Sequence, residues 1–357
     1  MDDQALSQLS VVIPNLHYRY TGITATNRAV TPRLTPLIGT AWFGSHAPPG
    51  VARLTFGDLV RLRFGTLRSK TRIWHARRNV EMIAGWLLTL LGWRFKLVFT
   101  SVAQRHHQWL TRLLIARMDA VIAASEESAS FLLRPATVVL HGVDTGRYRP
   151  SEDRMAAYAA TGYPGRFAIG CLGRVRHQKG TDVFIDAMCA LLPRFPDFSA
   201  VVIGSVTPDQ MIFARTLRQR VDAAGLADRI RILGELPIDE VPRWHQRLTI
   251  FAFTSRNEGF GLTLLEAMAS GVAVVAARAG AAERVITNET GVLVPPGDAA
   301  ALIAALEPLM RDQARTVEMG RRGRVHVVEN FSVEAEARKI ADVYRRVLGG
   351  GDAQTPR

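Results

Sequence analysis

Two carboxylates, Glu258 and Glu266, stand in the stretch SRNEGFGLTLLEAMASG with seven uncharged residues between them. The first precedes a Gly-Phe-Gly turn, and the second lies within an apolar run. Gly259 and Gly261 permit close backbone approach, and the N–H groups of Phe260, Gly261 and Leu262 would open a helix. A helix N-terminus offers unpaired donors and partial positive charge, which suits a phosphate. A carboxylate further along an apolar helix must find donors, and sugar hydroxyls would serve. Taken singly, Glu258 is equally a helix cap and Glu266 the partner of some arginine. A second group is GRVRHQKG, Gly173 to Gly180, where Arg174 and Lys179 follow a glycine turn. Two cations at a strand end can clamp a diphosphate and neutralise the charge growing on it as it leaves. Alone, two basic residues after a glycine mean little. The chain has neither the Walker A pattern nor G-x-G-x-x-G, so a dinucleotide cofactor has no motif behind it.

The elements that must position these groups alternate. SVVIP, LVFTSV (97–102), AVIAAS (120–125) and TVVLHGVD (137–144) read as strands in the first half, with helical stretches at 77–91 and 106–118. In the second half FAIGCLG, SAVVIGS, RIRILGEL, LTIFAFTS and VAVVAA read as strands, and GLTLLEAMASG as the helix joining the last two. Such alternation predicts parallel βαβ construction, with ligands at the carboxyl ends of the strands. The two acids then belong to a loop and helix following one strand, and Arg174 and Lys179 to a loop following another. A polar stretch with Pro and Gly at its ends divides the halves, so the predicted organisation is a domain over 1–150, a linker over 151–166 and a second domain over 167–330. Past Gly320 the sequence is again helical, and a C-terminal helix over 331–348 would be free to cross back to the first domain.

At 357 residues the chain exceeds what one core usually supports, in keeping with two domains. Hydrophobic residues make up 48% and charged residues 22%, so order is expected everywhere except the Gly-rich end after Leu348. Cys171 and Cys189 fit no metal or redox spacing and read as buried thiols in a reducing compartment. The start, MDDQALSQLS, is the opposite of a secretory signal. The longest apolar run, Met82 to Trp93, is shorter than the roughly 20 residues a membrane span needs. A cytoplasmic location follows as the expectation. The net charge of +13 is concentrated in the first 150 residues, which hold 19 Lys and Arg against 8 Asp and Glu. Between Arg53 and Arg78 there are eight basic residues and one acid, Asp58. Such a field attracts polyanions: nucleic acid, an anionic membrane face or a phosphorylated lipid. The stretch lacks regular aromatic interleaving and any nucleic-acid-binding motif, so no nucleic-acid partner is expected.

In combination, GRVRHQKG, SRNEGFGLTLLEAMASGVAVVA with its paired acids, and GAAERVITNETGVLVPPGD resemble the retaining GT-B glycosyltransferases of glycosyltransferase family 4. The likeness is strong from about residue 167 to 345, and HGVDTGRYRP is similar to the family's interdomain strand. It implies an α/β fold of two Rossmann-like doubly wound domains facing across a cleft, a nucleotide-sugar donor held mostly by the second domain, and neither a metal nor a cofactor. Carried over by position, Gly173, Arg174 and Lys179 would hold the donor diphosphate and stabilise it as it leaves. Glu258 would meet hydroxyls of the transferred sugar, and Glu266 those of the ribose. The N–H groups of Gly259, Phe260, Gly261 and Leu262 would lie at the phosphates. Gly22, in RYTGIT, corresponds to a glycine loop that in the family usually carries paired glycines; Thr21 stands in place of the first. Where many relatives have a histidine after the strand matching LVFTSV, this chain has Val102. His106 is then a candidate catalytic histidine, with His107 and His75 as others.

The first half also resembles a narrower group, the mannosyltransferases of lipopolysaccharide-core assembly, through PNLHYRYTGITATNR, IWHARRNVEM and FTSVAQRHHQWL. That implies GDP-mannose as donor and the Kdo region of a lipid A precursor as acceptor. Arg61, Arg63, Arg68, Lys70, Arg77 and Arg78 would form an acceptor or membrane surface toward the anionic inner face of a membrane. Another donor such as UDP-glucose, or a catalytically idle scaffold docked on a membrane, stays open at this stage.

Overall fold

The computed structural model describes residues 1–350 other than Tyr20 and Gln104. The Gly-rich end past Gly350 lies outside the described residues. The chain forms two compact units, one of Met1–Gly142 with the segment from Val333 onward, the other of Val143–Ser332.

The first unit holds a seven-stranded parallel sheet of β1 (Val11–Asn15), β2 (Thr40–Gly44), β3 (Arg53–Leu54), β4 (Arg72–Ala76), β5 (Phe95–Ser101), β6 (Ala120–Ala123) and β7 (Thr137–Val138). Their order is β3-β2-β1-β4-β5-β6-β7. Three of these strands, β2, β3 and β4, escape the sequence reading. β4 carries arginine at its first position, which reads as surface. The structure buries Arg72 at 2% exposure and satisfies its guanidinium with the carbonyls of Leu67, Lys70 and Leu6. A helix, Gly22–Leu34, follows β1 in the chain. On one face of the sheet Val11, Ile13 and Ile73 pack with Val30 and Leu34 of that helix and with Val333, Ile340 and Tyr344 of the last helix, Val333–Leu348. The C-terminal helix is therefore part of the first unit's core.

The second unit holds a six-stranded parallel sheet of β8 (Phe167–Leu172), β9 (Phe198–Ile203), β10 (Ile230–Gly234), β11 (Ile250–Phe253), β12 (Ala273–Ala277) and β13 (Val292–Val294). The order is β10-β9-β8-β11-β12-β13, so this sheet repeats the doubly wound pattern of the first. Its strands are almost continuously apolar, as expected for a sheet covered on both faces. The stretch 151–166, read from sequence as a linker, lies inside this unit. It contains the helix Arg154–Ala159, with Tyr158 only 1% exposed. Arg154 donates to the carbonyls of Leu248, Ser270 and Gly271, binding the segment to the amino ends of β11 and β12. Helical structure also resumes earlier than Gly320, with Ala299–Arg311 and then Gln313–Asn330. Gly320 sits inside the second of these because a Cβ there would stand 2.3 Å from the Gly271 carbonyl oxygen. A glycine that reads as a helix boundary is here a point of close packing.

Candidate active site

In the second sheet the strand order reverses between β8 and β11, which pair through Ile169 and Ile250. Loops leaving adjacent strands toward opposite sides open a crevice at this switch point. The segment Gly173–Gly180 leaves β8 there, and Thr254–Gly261 leaves β11. Two motifs distant in sequence thus become neighbours. The Lys179 ammonium donates to Oε2 of Glu258, and the Ser255 hydroxyl lies 3.4 Å from the same oxygen. Glu258 Oε1 accepts the N–H of Gly259 at 3.1 Å. The Lys179 and Glu258 side chains remain 19% and 18% exposed, so the pair is accessible.

The two loops are bolted together behind this pair. Thr254 Oγ1 donates to the Lys179 carbonyl at 3.0 Å, and the Arg256 N–H to the Gln178 carbonyl at 2.9 Å. Gly180 has φ of +67°, and a Cβ on it would stand 1.9 Å from the Thr254 carbonyl oxygen, so only glycine fits. Arg256 forms a bidentate pair with Asp182 at 2.7 and 2.8 Å and also donates to the His177 carbonyl. Burial pushes the Asp182 carboxyl up, but the Arg256 hydrogen bonds and charge outweigh it, leaving the group below its ordinary range. The sequence reading missed Arg256 and Asp182. Their signal is opposite charge placed two residues before Glu258 and three after Lys179.

The helix Leu262–Ala269 begins beside Glu258 with Gly261 as its N-cap in the left-handed region, and no side chain caps it. Phe260 is buried at 7% exposure, its carbonyl accepting the N–H of Ala281 at 2.8 Å. One turn along, Glu266 pairs with no arginine among the described residues. Its Oε2 stands 3.5 Å from Nε2 of His245, and the Tyr148 hydroxyl lies beside its carboxylate. Burial and the Glu266 charge push the Tyr148 phenol upward, so it stays protonated and a donor. Neither Tyr148 nor His245 stands out in the sequence. Arg174 is exposed and lines a depression with Arg176, His177, Gln178, Thr207 and Asp209. Cys171 is buried beneath, its thiol pushed up to about 11 by burial.

The remaining candidates lie in the first unit. Gly22 opens the helix Gly22–Leu34, capped by Thr21, with open space where a Cβ would be. Of the six basic residues expected on a surface, two are not there. Arg77 is 6% exposed, and Arg78 donates to Asn15, Thr21, Thr24 and Glu81. The reason is that Arg72–Ala76 is a strand, which draws the basic residues around it into the sheet. Arg61 is partly engaged by Asp58 and Asp3, and Lys70 by the carbonyls of Ser7 and Gln8. Arg63 lies over the rings of Phe64 and Trp93, and Arg68 lines a shallow depression with Arg94. Among the histidines, His75 is 2% exposed between Tyr344 and Thr100, and burial holds its pKa well below the usual value. His107 hydrogen-bonds Ser101 at 3.1 Å. His106 is exposed, edge-on to Phe131.

Two doubly wound parallel sheets, one carrying a lysine–glutamate pair at its switch point, define a GT-B glycosyltransferase fold. A whole-chain likeness agrees: Anabaena HepE, solved in complex with UDP, superposes with a TM-score of 0.78 at 19% identity, over 94% of this chain and 99% of that one. The family model for glycosyl transferases group 1 matches residues 166–312. The lipopolysaccharide core biosynthesis mannosyltransferase LpcC of Rhizobium leguminosarum bv. viciae is 47% identical over 96% of this chain and 98% of its own length. A GDP-mannose-dependent alpha-(1-6)-phosphatidylinositol monomannoside mannosyltransferase of Mycolicibacterium smegmatis is 31% identical over 88% of this chain and 79% of its own. The chain belongs to the group 1 glycosyltransferases and is an enzyme of that family.

Proposed function

We propose that the protein transfers mannose from GDP-mannose, with retention, onto the Kdo or inner-core region of a lipid A precursor during lipopolysaccharide core assembly. The observation that carries the donor reading is the Lys179–Glu258 pair beside an uncapped helix N-terminus at the β8/β11 switch point. Near-complete alignment with a lipopolysaccharide core mannosyltransferase supports the sugar and the acceptor class, and the GDP-mannose-dependent relative supports the base.

In this reading the diphosphate lies at Lys179, Arg174 and the first N–H groups of the helix Leu262–Ala269. Glu258 accepts from hydroxyls of the mannose, and Glu266 from those of the ribose. When the acceptor hydroxyl approaches C1 from the face the diphosphate is leaving, the C1–O bond to the phosphate breaks and the new glycosidic bond forms. The acceptor proton passes to a diphosphate oxygen, so no protein base is required. Charge builds on the diphosphate in the transition state, which is where fixed cations and helix N–H groups are worth most. In this reading the transfer needs no resident metal or cofactor, and addition of EDTA should leave its rate unchanged.

The acceptor reading adds a membrane face on the first unit. Among the described residues no helix is long and apolar enough to cross a membrane. Helices Asn79–Leu90 and Trp109–Ala116 nevertheless expose Leu87, Leu90, Trp109 and Leu113, with Leu91 just beyond. Met82 and Gly85 of the same stretch are buried, so the run from Met82 to Trp93 is apolar on both faces for two different reasons. Arg63, Arg68, Arg94 and Arg117 in the same unit supply positive charge, a combination suited to shallow docking on an anionic leaflet.

A thermal-shift panel of GDP, UDP, ADP and their sugars tests the donor. GDP and GDP-mannose should raise the unfolding temperature most, by linkage. Preference for UDP or ADP would overturn GDP-mannose while keeping the transferase, and no stabilisation by any nucleotide would overturn the donor site.

A further inference from the structure

The side chains behind Glu266 do more than fill space. His245 lies on the helix Glu240–Arg247, wholly buried, between the rings of Tyr148 at 5.6 Å and Phe251 at 5.8 Å. Among the described residues neither of its ring nitrogens finds a hydrogen-bond partner, and Nε2 stands 3.5 Å from Glu266 Oε2. A buried imidazole without hydrogen bonds is costly, and the Glu266 carboxylate is a polar group close to it. Tyr148, 9% exposed, brings its hydroxyl to the same carboxylate.

Tyr148 is itself held in place. Arg324 donates to its carbonyl at 3.2 Å and also to the carbonyl of Ala269, at the far end of the helix that carries Glu266. Its neighbour Arg147 donates to the Ile238 carbonyl and to Asp239, directly before the helix that carries His245. Tyr148, His245 and Glu266 therefore come from three segments tied to one another. Glu266 keeps 18% exposure, so its carboxylate is backed on one side and open on the other.

We infer that Tyr148 and His245 are positioning residues that hold Glu266 in the orientation that receives the vicinal hydroxyls of the donor ribose. The inference rests on the proposal that Glu266 meets that ribose. A glutamate on an otherwise apolar helix has several rotamers, and the Tyr148 hydroxyl, with the His245 ring packed behind it, selects one before ligand arrives. Less ordering is then left for binding to impose. The pair acts through Glu266 and touches no reacting atom, so its removal should weaken donor binding more than turnover.

The test uses the full chain and the nucleoside diphosphate that most stabilises it among GDP, UDP and ADP, beside the 2′,3′-dideoxy form of that nucleotide. Calorimetric affinities are measured for wild type, Glu266→Gln, Tyr148→Phe and His245→Phe. The last two keep the edge-to-face ring contacts and delete the polar atoms, and circular dichroism checks folding. Wild type should prefer the ribose form by about tenfold or more, as expected for hydrogen bonds to a charged group. In Tyr148→Phe and His245→Phe that preference should fall at least threefold, with the donor KM rising and kcat changing less. A merely structural role would weaken both nucleotides equally and leave the ratio intact. Lost preference in Glu266→Gln with an unchanged ratio in both phenylalanine variants overturns the positioning role alone. No preference in wild type, or no nucleotide bound, overturns the ribose reading and this inference with it. If one variant fails to fold, the other decides.

Discussion

The switch points of the two sheets share a topology and differ in what their loops carry. In the first sheet, β1 ends at Asn15 and β4 leads into Arg77 and Arg78. The Arg78 guanidinium is consumed by Asn15 and Thr21 at 2.8 Å and by Thr24 and Glu81 at 3.0 Å. Glu81 is fully buried and also accepts the N–H groups of Arg77 and Arg78. In the second sheet the cation and the carboxylate are a pair with nearly a fifth of each side chain exposed, beside a helix without a side-chain cap. Strand order creates a crevice in both places. Only the residues after the strands decide whether its polar groups are satisfied by protein or left open to a ligand.

The sharpest way to break this contrast is to open the closed site. Arg78→Ala leaves the buried Glu81 carboxylate with backbone N–H groups alone, and should cost about 3 kcal/mol in urea unfolding. Nucleotide affinity at the second unit should be unchanged. A variant as stable as wild type would show that the first switch point is not held together by its ion pair.

At the open site the expectation reverses. Lys179→Ala and Glu258→Gln should each lower kcat by about 10²–10³, as for loss of one transition-state electrostatic contact, with circular dichroism unaltered. Single-turnover transfer measures it, and undiminished turnover in either variant removes that residue from the mechanism.

The brace behind the pair should matter less. Asp182→Asn weakens the bidentate hold on Arg256 and should raise the donor KM about fivefold, close to 1 kcal/mol for a partly exposed pair. Because the folded-state pKa of Asp182 is lowered, its contribution is complete above the ordinary aspartate range and fades as pH falls through the lowered value. A stability advantage of wild type over Asp182→Asn in urea unfolding that grows as pH falls from about 5 to about 3 would contradict this sign.

The smallest effect belongs to the first unit's surface. Arg63→Ser or Arg68→Ser should each weaken co-sedimentation with anionic vesicles by about 1 kcal/mol at low salt, and less at physiological ionic strength, where exposed charge is screened within about 8 Å. Equal binding to zwitterionic and anionic vesicles would remove the membrane face and leave the donor site intact.

Much of the second unit was legible because its signals are local. Apolar runs punctuated by glycine marked β8, β9, β11 and β12, and the spacing from Glu258 to Glu266 put one acid in the loop before a helix and the other within that helix. The first unit was harder to read. β4 hides behind Arg72, whose guanidinium donors are satisfied by carbonyls of Leu6, Leu67 and Lys70, partners that no window around β4 contains in full. The stretch 151–166 has the composition of a linker, and only the carbonyls at the edges of β11 and β12 make it part of a domain.

Legible from the chain alone were the alternation of strand and helix, the residues whose types suit a diphosphate and sugar hydroxyls, and the concentration of positive charge in the first 150 residues. These follow from periodicity and side-chain chemistry, which act over a few residues. Only the tertiary structure decided that Lys179 pairs with Glu258, that Tyr148 and His245 back Glu266, and that Arg77 and Arg78 are withdrawn from the surface. Each of those outcomes depends on which strands become neighbours and on which buried charges find partners, and such partners lie up to some 120 residues apart in the chain.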